Sequence, residues 1–237
     1  MKKWKTNNNC KIYQITKGRA NSYLVIDKDI SIMVDTGIKN SNKAVMGKLD
    51  DFLDGNDLSY LVLTHSHHDH VGNAAMLKEK YKTKVIIQKS EAEYLMNPKS
   101  QLIPQGTNLA TRIGLRLLMR IKSKLTKFLN FEAVDPDILA TDDYFISSNC
   151  YLITTPGHSQ GSMSLIVDDE VALVGDAMFG VFWWSVFPPF AADVPMMIRS
   201  WGKLLNTGSK LFLPGHGTEN SRELLEKQYN KYKLKYV

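Results

Sequence analysis

The chain has 237 residues, 43% of them hydrophobic and 23% charged, enough apolar material for one sizeable domain with a buried core. No apolar run reaches the length of a membrane span, and the basic start MKKWKTNNNCKIYQ lacks the apolar stretch of a signal peptide, so a cytoplasmic protein is expected. The net charge of +6 lies largely between Arg112 and Lys127 and in the tail KQYNKYKLKY, without the aromatic-and-basic interleaving of an RNA-binding sheet, which disfavours nucleic acid as a partner.

KIYQI, SYLVID and ISIMVDTG read as three short strands separated by turn residues such as Asp27, Lys28 and Asp29. Val45, Met46, Leu49 and Phe52 follow helical spacing, with Ser41 as a capping residue. Leu58 to Thr64 predicts a buried strand, NAAMLKEKYK a helix, KVIIQ a strand and SEAEYLM a short helix. The rhythm breaks between about Asn97 and Asp143, a segment that reads as a helical insertion into a single domain spanning the chain. Within it Arg112, Arg116, Arg120 and Lys124 recur every four residues beside an apolar face of Ile113, Leu117, Ile121, Leu125 and Phe128. Like charges at that spacing weaken an isolated helix, so the apolar face is expected to dock onto something. The basic side suits a lid, a dimer contact, or attraction to an anionic substrate or membrane surface, and the chain is expected to be a monomer or homodimer. Afterwards the rhythm returns, with DYFISS, YLITT, MSLIVDD, EVALVGD and KLFLPGHG as strands, MMIRSWGKLL as a helix, and a last helix from Ser221 to about Lys233. Two strand-rich halves closed by helices suggest an α/β fold in which two mixed sheets are sandwiched between helices, αββα. Periodicity alone leaves a doubly wound parallel sheet open.

The stretch LTHSHHDHVGN holds four of the six histidines. On extended chain His65 and His67 project to the same side, which brings two imidazoles to one ion. A turn into the following helix would swing Asp69 and His70 toward a second ion. Imidazole and carboxylate together suit zinc, iron or manganese. His158, Asp176 and His216 each follow an apolar run, and each is preceded by glycine, which permits sharp turns that aim a side chain into a shared cleft.

THSHHDH, followed by GHS, GD and GHG in this order, resembles the HxHxDH signature and later landmarks of the metallo-β-lactamase fold superfamily, most of all its glyoxalase II-like branch of single-domain hydrolases. The matching landmarks run from Asp35 in VDTG to His216. The resemblance implies the αββα sandwich and two divalent metal ions, with zinc favoured and iron or manganese compatible. It implies that His65, His67 and His158 hold one ion, that Asp69, His70 and His216 hold the other, and that Asp176 bridges them. By the same resemblance Asp35 supports the site from behind the ligands, and His68 fills a variable position. Two such cations supply hydroxide at neutral pH and polarise a carbonyl, with Asp69 orienting the nucleophile as well as binding metal.

The absence of a GxSxG elbow agrees with a metal-supplied nucleophile, and Cys10 and Cys150 read as reduced, buried thiols outside the chemistry. After Asp176 comes AMFGVFWWSVFPPF, whose Phe179, Phe182, Trp183 and Trp184 form either an apolar wall for the substrate or a plug between the sheets. The function expected is a dinuclear metal-dependent hydrolase of a small ester, thioester or lactone, an acyl-homoserine lactonase being one version. The alternatives are a non-haem di-iron redox enzyme, for oxygen reduction or persulfide oxidation, and a metal-dependent phosphodiesterase or nuclease.

Overall fold

The structure is a computed structural model and describes residues 1–18, 20–100, 105–119 and 130–236. β1 (Lys3–Lys5), β2 (Lys11–Thr16), β3 (Ser22–Asp27) and β4 (Ile30–Val34) pair antiparallel in chain order, joined by short turns. Three parallel strands extend that sheet, because a helix returns the chain before each new strand can join. They are β5 (Tyr60–Val62), β6 (Lys84–Gln88) and, beyond the short β7 (Gln105–Gly106), β8 (Ile138–Ala140). The helices α1 (Asn42–Leu53), α2 (His68–Val71), α3 (Ala74–Tyr81) and α4 (Ala92–Met96) fall between them. A second, six-stranded sheet has the order β15-β14-β12-β11-β10-β9, formed by β9 (Tyr144–Phe145), β10 (Cys150–Thr154), β11 (Met163–Val167), β12 (Val171–Gly175), β14 (Leu211–Pro214) and β15 (Asn220–Ser221). It is covered by α6 (Val194–Leu205) and α7 (Arg222–Tyr236), while β13 (Phe190–Ala191) pairs with β7 alone.

Side chains that alternate along the strands divide the core into three seams. Leu24, Met33, Leu61 and Val85 face Val45, Leu49 and Leu53 of α1 and Leu77 of α3. The opposite faces of the same strands, with Val25, Ile32, Val62 and Ile86, meet Leu152, Leu165, Leu173 and Leu213 between the two sheets. The outward residues of the second sheet, Ile153, Ile166, Val174 and Phe212, pack under Ile198, Trp201 and Leu204 of α6 and Leu225 of α7. Helices, sheet, sheet, helices: the αββα reading holds, and the doubly wound alternative does not.

Three local findings add to the expectations. KWK near the N-terminus forms β1, an edge strand with Trp4 tilted against Tyr23 at 6.1 Å. The segment read as an insertion also supplies sheet and core: β8 closes the edge of the first sheet, and Phe131 and Val134 are buried with α1 and α4. On α5 (Leu109–Met119) the described part of the apolar face is exposed, with Leu109, Ile113 and Leu117 at 73%, 49% and 56%. Arg120, Ile121, Lys124, Leu125 and Phe128 lie outside the described residues. Among the described residues no helix is long and apolar enough to cross a membrane.

Candidate metal centre

The cleft lies where β4, β5, β10, β12 and β14 end. Asp35 follows β4, the histidine cluster follows β5, and His158, Asp176 and His216 follow β10, β12 and β14. The first sheet therefore supplies one half of the site and the second sheet the other. The loops meet by main-chain contact: Met163 N–H donates to the Thr64 carbonyl at 2.9 Å, and Asn21 N–H to that of Gly215 at 2.7 Å.

Gly157 and Gly175 turn through positive φ, +135° and +49°, as expected for glycines that aim a following side chain. Gly215 serves otherwise. Its φ is ordinary, and a Cβ there would stand 2.4 Å from Asp176 Oδ1 and 2.6 Å from His70 Cε1. Space, not angle, requires glycine before His216.

Ring nitrogens of His65, His67 and His158 lie within 4.8 Å of one another. His67 Nδ1 is 2.9 Å from His65 Nε2 and 3.0 Å from His158 Nε2. Partners behind the rings fix which nitrogens carry protons. His158 Nδ1 faces the Phe190 carbonyl at 3.0 Å and must donate, so its Nε2 is a bare lone pair. Thr64 gives its one hydroxyl proton to Asp35 Oδ2 at 2.8 Å, so His65 Nδ1 must donate to Thr64 Oγ1 at 3.0 Å. His65 Nε2 is then a second bare lone pair aimed at the same point. Nitrogens bound tetrahedrally to zinc stand about 3.3 Å apart, close to this spacing.

The second group comprises Asp69, His70 and His216. His216 Nε2 is 3.4 Å from Asp69 Oδ2, and His70 Nε2 is 3.9 Å from the same oxygen. Asp176 stands between the groups: Oδ2 is 3.4 Å from both His158 Nε2 and His216 Nε2, and Oδ1 is 3.4 Å from His70 Nε2. His70 Nε2 and Asp176 Oδ1 are buried atoms without any hydrogen-bond partner. Buried polar atoms are almost always paired, and a cation between these two would satisfy both. The donor set thus fits two borderline-to-hard divalent ions.

The charges tell the same story. Burial drives His65 well below the usual imidazole range and, with His158 adding, lowers His67 to about 4. For His70 burial is outweighed by Asp176, Asp35 and Asp69, which push it up to about 10. Burial is outweighed likewise at His216, raised by Asp176, and at Asp176, held well below the carboxylate range by His216, His70 and His158.

Asp35 is 2% exposed and sits at a left-handed φ of +56°, a strained conformation for a residue with a side chain. Its carboxylate accepts from Thr64 N–H, Thr64 Oγ1 and His70 Nδ1, each at 2.8 Å. Glu91 is a residue that the sequence did not mark, since SEAEYLM reads only as a short helix. Its buried carboxylate accepts from Ser66 N–H at 3.1 Å, Ser66 Oγ at 2.5 Å and Gly161 N–H at 2.9 Å, tying the His65 loop to the His158 loop. Burial opposes its charge, and these bonds prevail and lower it. His68 belongs to neither group, and its Nδ1 lies 3.6 Å from Asp69 Oδ1.

Of the four aromatics singled out, Phe179 lies against His216 at 4.5 Å between ring centroids. Phe182 and Trp184 line a groove with Phe179, and Trp183 is 85% exposed outside it. The loop is a surface feature, and the core between the sheets has no need of it as a plug. Cys10 and Cys150 meet Asp27 elsewhere in the seam between the sheets. Burial raises the two thiols to about 11 and about 12, and the Asp27 carboxylate is taken up by Ser147 and Asn149.

A profile of the metallo-beta-lactamase superfamily matches residues 15–216. The chain belongs to this superfamily. A metallo-beta-lactamase fold-containing protein of Sulfurisphaera tokodaii is 28% identical over 210 residues, 87% of this chain and 76% of that protein. An N-acyl homoserine lactonase of Bacillus thuringiensis is 25% identical over 174 residues, 70% of this chain and 58% of its own length. The crystal structure of the BLEG-1 B3 metallo-beta-lactamase superposes with a TM-score of 0.70 at 21% identity, over 92% of this chain and 97% of the other. Within this metallo-hydrolase superfamily, the His and Asp clusters described above are able to hold divalent metals.

Proposed function

We propose that the protein is a dinuclear metal-dependent hydrolase of a small ester, thioester or lactone. The observation that carries this reading is Asp176, a buried carboxylate with one orphaned oxygen, set 3.4 Å from histidines of both clusters. Two divalent cations held there, zinc being favoured, would acidify a shared water and polarise a substrate carbonyl. His65 Nε2, His67 Nδ1 and His158 Nε2 would hold one, Asp69, His70 and His216 the other, with Asp176 between. Asp35 orients His70 directly and His65 through Thr64. Asp69 is the acid with the most open side chain, 22% exposed against 5% for Asp176 and 3% for Asp35, and it is the group assigned to orient the attacking water. Phe179, Phe182 and Trp184 give the leaving or acyl group an apolar wall beside His216. Trp183 extends the same aromatic loop toward solvent. The lactonase of Bacillus thuringiensis adds weight to a lactone among the candidate substrates.

The test is elemental analysis of protein purified without added metal, followed by ester, thioester, lactone, phosphodiester and β-lactam substrates. Two zinc with ester, thioester or lactone turnover is the expected result. Asp176→Asn and His67→Ala should each abolish turnover while the circular dichroism spectrum is retained. Full activity in metal-depleted protein refutes the reading, and two iron with oxygen consumption replaces it.

A further inference from the structure

On the outer face, beyond Phe179, the protein exposes a run of large apolar side chains. Val181, Phe182, Trp183 and Trp184 are 56%, 52%, 85% and 54% exposed in one unbroken run. Two of the four tryptophans of the chain therefore stand in solvent side by side, their rings edge-on at 5.3 Å. Behind them lies a groove of about 500 Å³ lined by Phe179, Phe182, Trp184, Phe187, Tyr232 and Tyr236 among others, the described lining residues being uncharged. Thr107 and Asn108 complete the wall, and Thr107 is fixed there by bonds to the carbonyls of Pro188 and Pro189. The next residue is Leu109, which begins α5 at the groove's rim, and Leu109, Ile113 and Leu117 recur at helical spacing as exposed apolar side chains.

The two helices that border this surface carry mainly basic residues there, while the nearby Glu219 is paired with Lys2. Lys231 Nζ lies 5.0 Å over the ring of Tyr232, and Lys235 Nζ 5.0 Å over that of Tyr236, which places two ammonium groups on the groove's own aromatic wall. Lys227 and Lys233 lie in the same stretch of α7 from Lys227 to Tyr236, which contains no acid, and α5 carries Arg112 and Arg116 with no acid among its described residues. Exposed tryptophans, an apolar helix face and a cationic rim are what the headgroup region of a bilayer receives: aromatic rings rest at the polar boundary, and Lys and Arg meet lipid phosphates. A soluble apolar ligand in the groove would cover Phe182 and Trp184, but it would leave Trp183 and the α5 face in water.

We propose that the aromatic loop Val181–Trp184, the apolar face of α5 and the lysines of α7 form a docking surface for an anionic phospholipid bilayer. This reading is independent of the hydrolase assignment, because none of its measurements involves turnover or metal.

The experiment is co-sedimentation of the full chain with vesicles of phosphatidylcholine alone and of phosphatidylcholine with phosphatidylglycerol, with tryptophan emission read in parallel. Binding to the anionic vesicles with a blue shift, and none to the zwitterionic ones, is expected. Lys231→Gln with Lys235→Gln should lower the partition coefficient about thirtyfold. Trp183→Ser should lower it at least about tenfold and remove much of the blue shift. Circular dichroism of each variant checks the fold, and the substituted side chains lie on the surface. Equal partition to both kinds of vesicle, or no partition to either, overturns the proposal. So does binding to anionic vesicles that neither variant weakens. A concentration-dependent dimer that Trp183→Ser dissociates, in protein that ignores both vesicles, would assign the surface to a second copy of the chain instead.

Discussion

Asp35→Asn is close to isosteric, yet it should disturb both halves of the metal centre. The native carboxylate only accepts, and three donors depend on it. An asparagine can orient in two ways. With its amide nitrogen in the Oδ2 position it must donate toward Thr64 Oγ1 and His70 Nδ1. His70 then moves its proton to Nε2, pointing it at Asp176. Thr64 is freed to donate to His65 Nδ1, and His65 moves its own proton to Nε2, toward His67. With the amide reversed, its NH₂ meets the Thr64 N–H, and two buried donors face each other. The first arrangement removes lone pairs from the places where a cation needs them, and the second keeps the tautomers but sets two buried donors against each other and loosens the anchor behind both histidines. Losing a group that orients metal ligands costs about tenfold to a hundredfold in affinity, or roughly 1.4 to 2.8 kcal/mol. Because Asp35 reaches one histidine of each cluster, both metal equivalents should weaken. Competition against a chromophoric chelator measures each equivalent, with circular dichroism as the control for folding. Two equivalents bound with wild-type affinity would refute the tautomer argument.

Gly215→Ala forces a methyl group against Asp176 and His70, so the Tm should fall by the equivalent of about 1–3 kcal/mol and the second metal equivalent should be lost. Glu91→Ala removes the acceptor of three buried bonds, from Ser66 N–H, Ser66 Oγ and Gly161 N–H, and urea titration should show a loss of about 3 kcal/mol, with Glu91→Gln losing less. The metal-free protein should be most stable near pH 6.5. His67, lowered to about 4, removes stability as pH falls from 6.5 toward 4. His70, raised to about 10, stabilises fully below 6.5 and loses that contribution as pH rises toward 10. A Tm that is flat across this range would contradict the assigned charges. Cys10 and Cys150 should react with a disulfide reagent such as DTNB only after unfolding, and rapid native labelling would contradict their burial.

Much of the architecture can be read from the chain because alternation and helical spacing report burial, and nearly every burial here is two-sided. Leu24 and Val25, or Leu165 and Ile166, face different seams although they are neighbours in sequence. The histidine cluster and the strand-end glycines likewise marked the residues that converge, since ligand type and turn chemistry are local signals. What stayed hidden depends on pairing between distant segments. β1 is charged and short, and only the edge of β2 makes it a strand. Ile138–Ala140 joins the first sheet because β6 has a free edge, which no local pattern states. Glu91 looks like any helix-start carboxylate until Ser66 and Gly161 surround it. The reason for Gly215 lies in Asp176, 39 positions earlier by numbering, and not in its own dihedral angles. The apolar stripe of α5 was legible, but a stripe does not say whether protein or something else covers it.

The division of the centre between two sheets has a mechanical consequence. Ions bound there would act as rivets across a joint between two plates, which are also held together by apolar packing, a few main-chain bonds and side-chain bonds from Glu91, Asn21, Tyr23 and Asp27. Extracting the ions should therefore loosen the whole joint: amides of β10, β12 and β14 would exchange faster, while those beneath α1 and α3 would not. In such a protein the supply of metal governs how tightly two halves of one chain hold together, as well as whether the site can react.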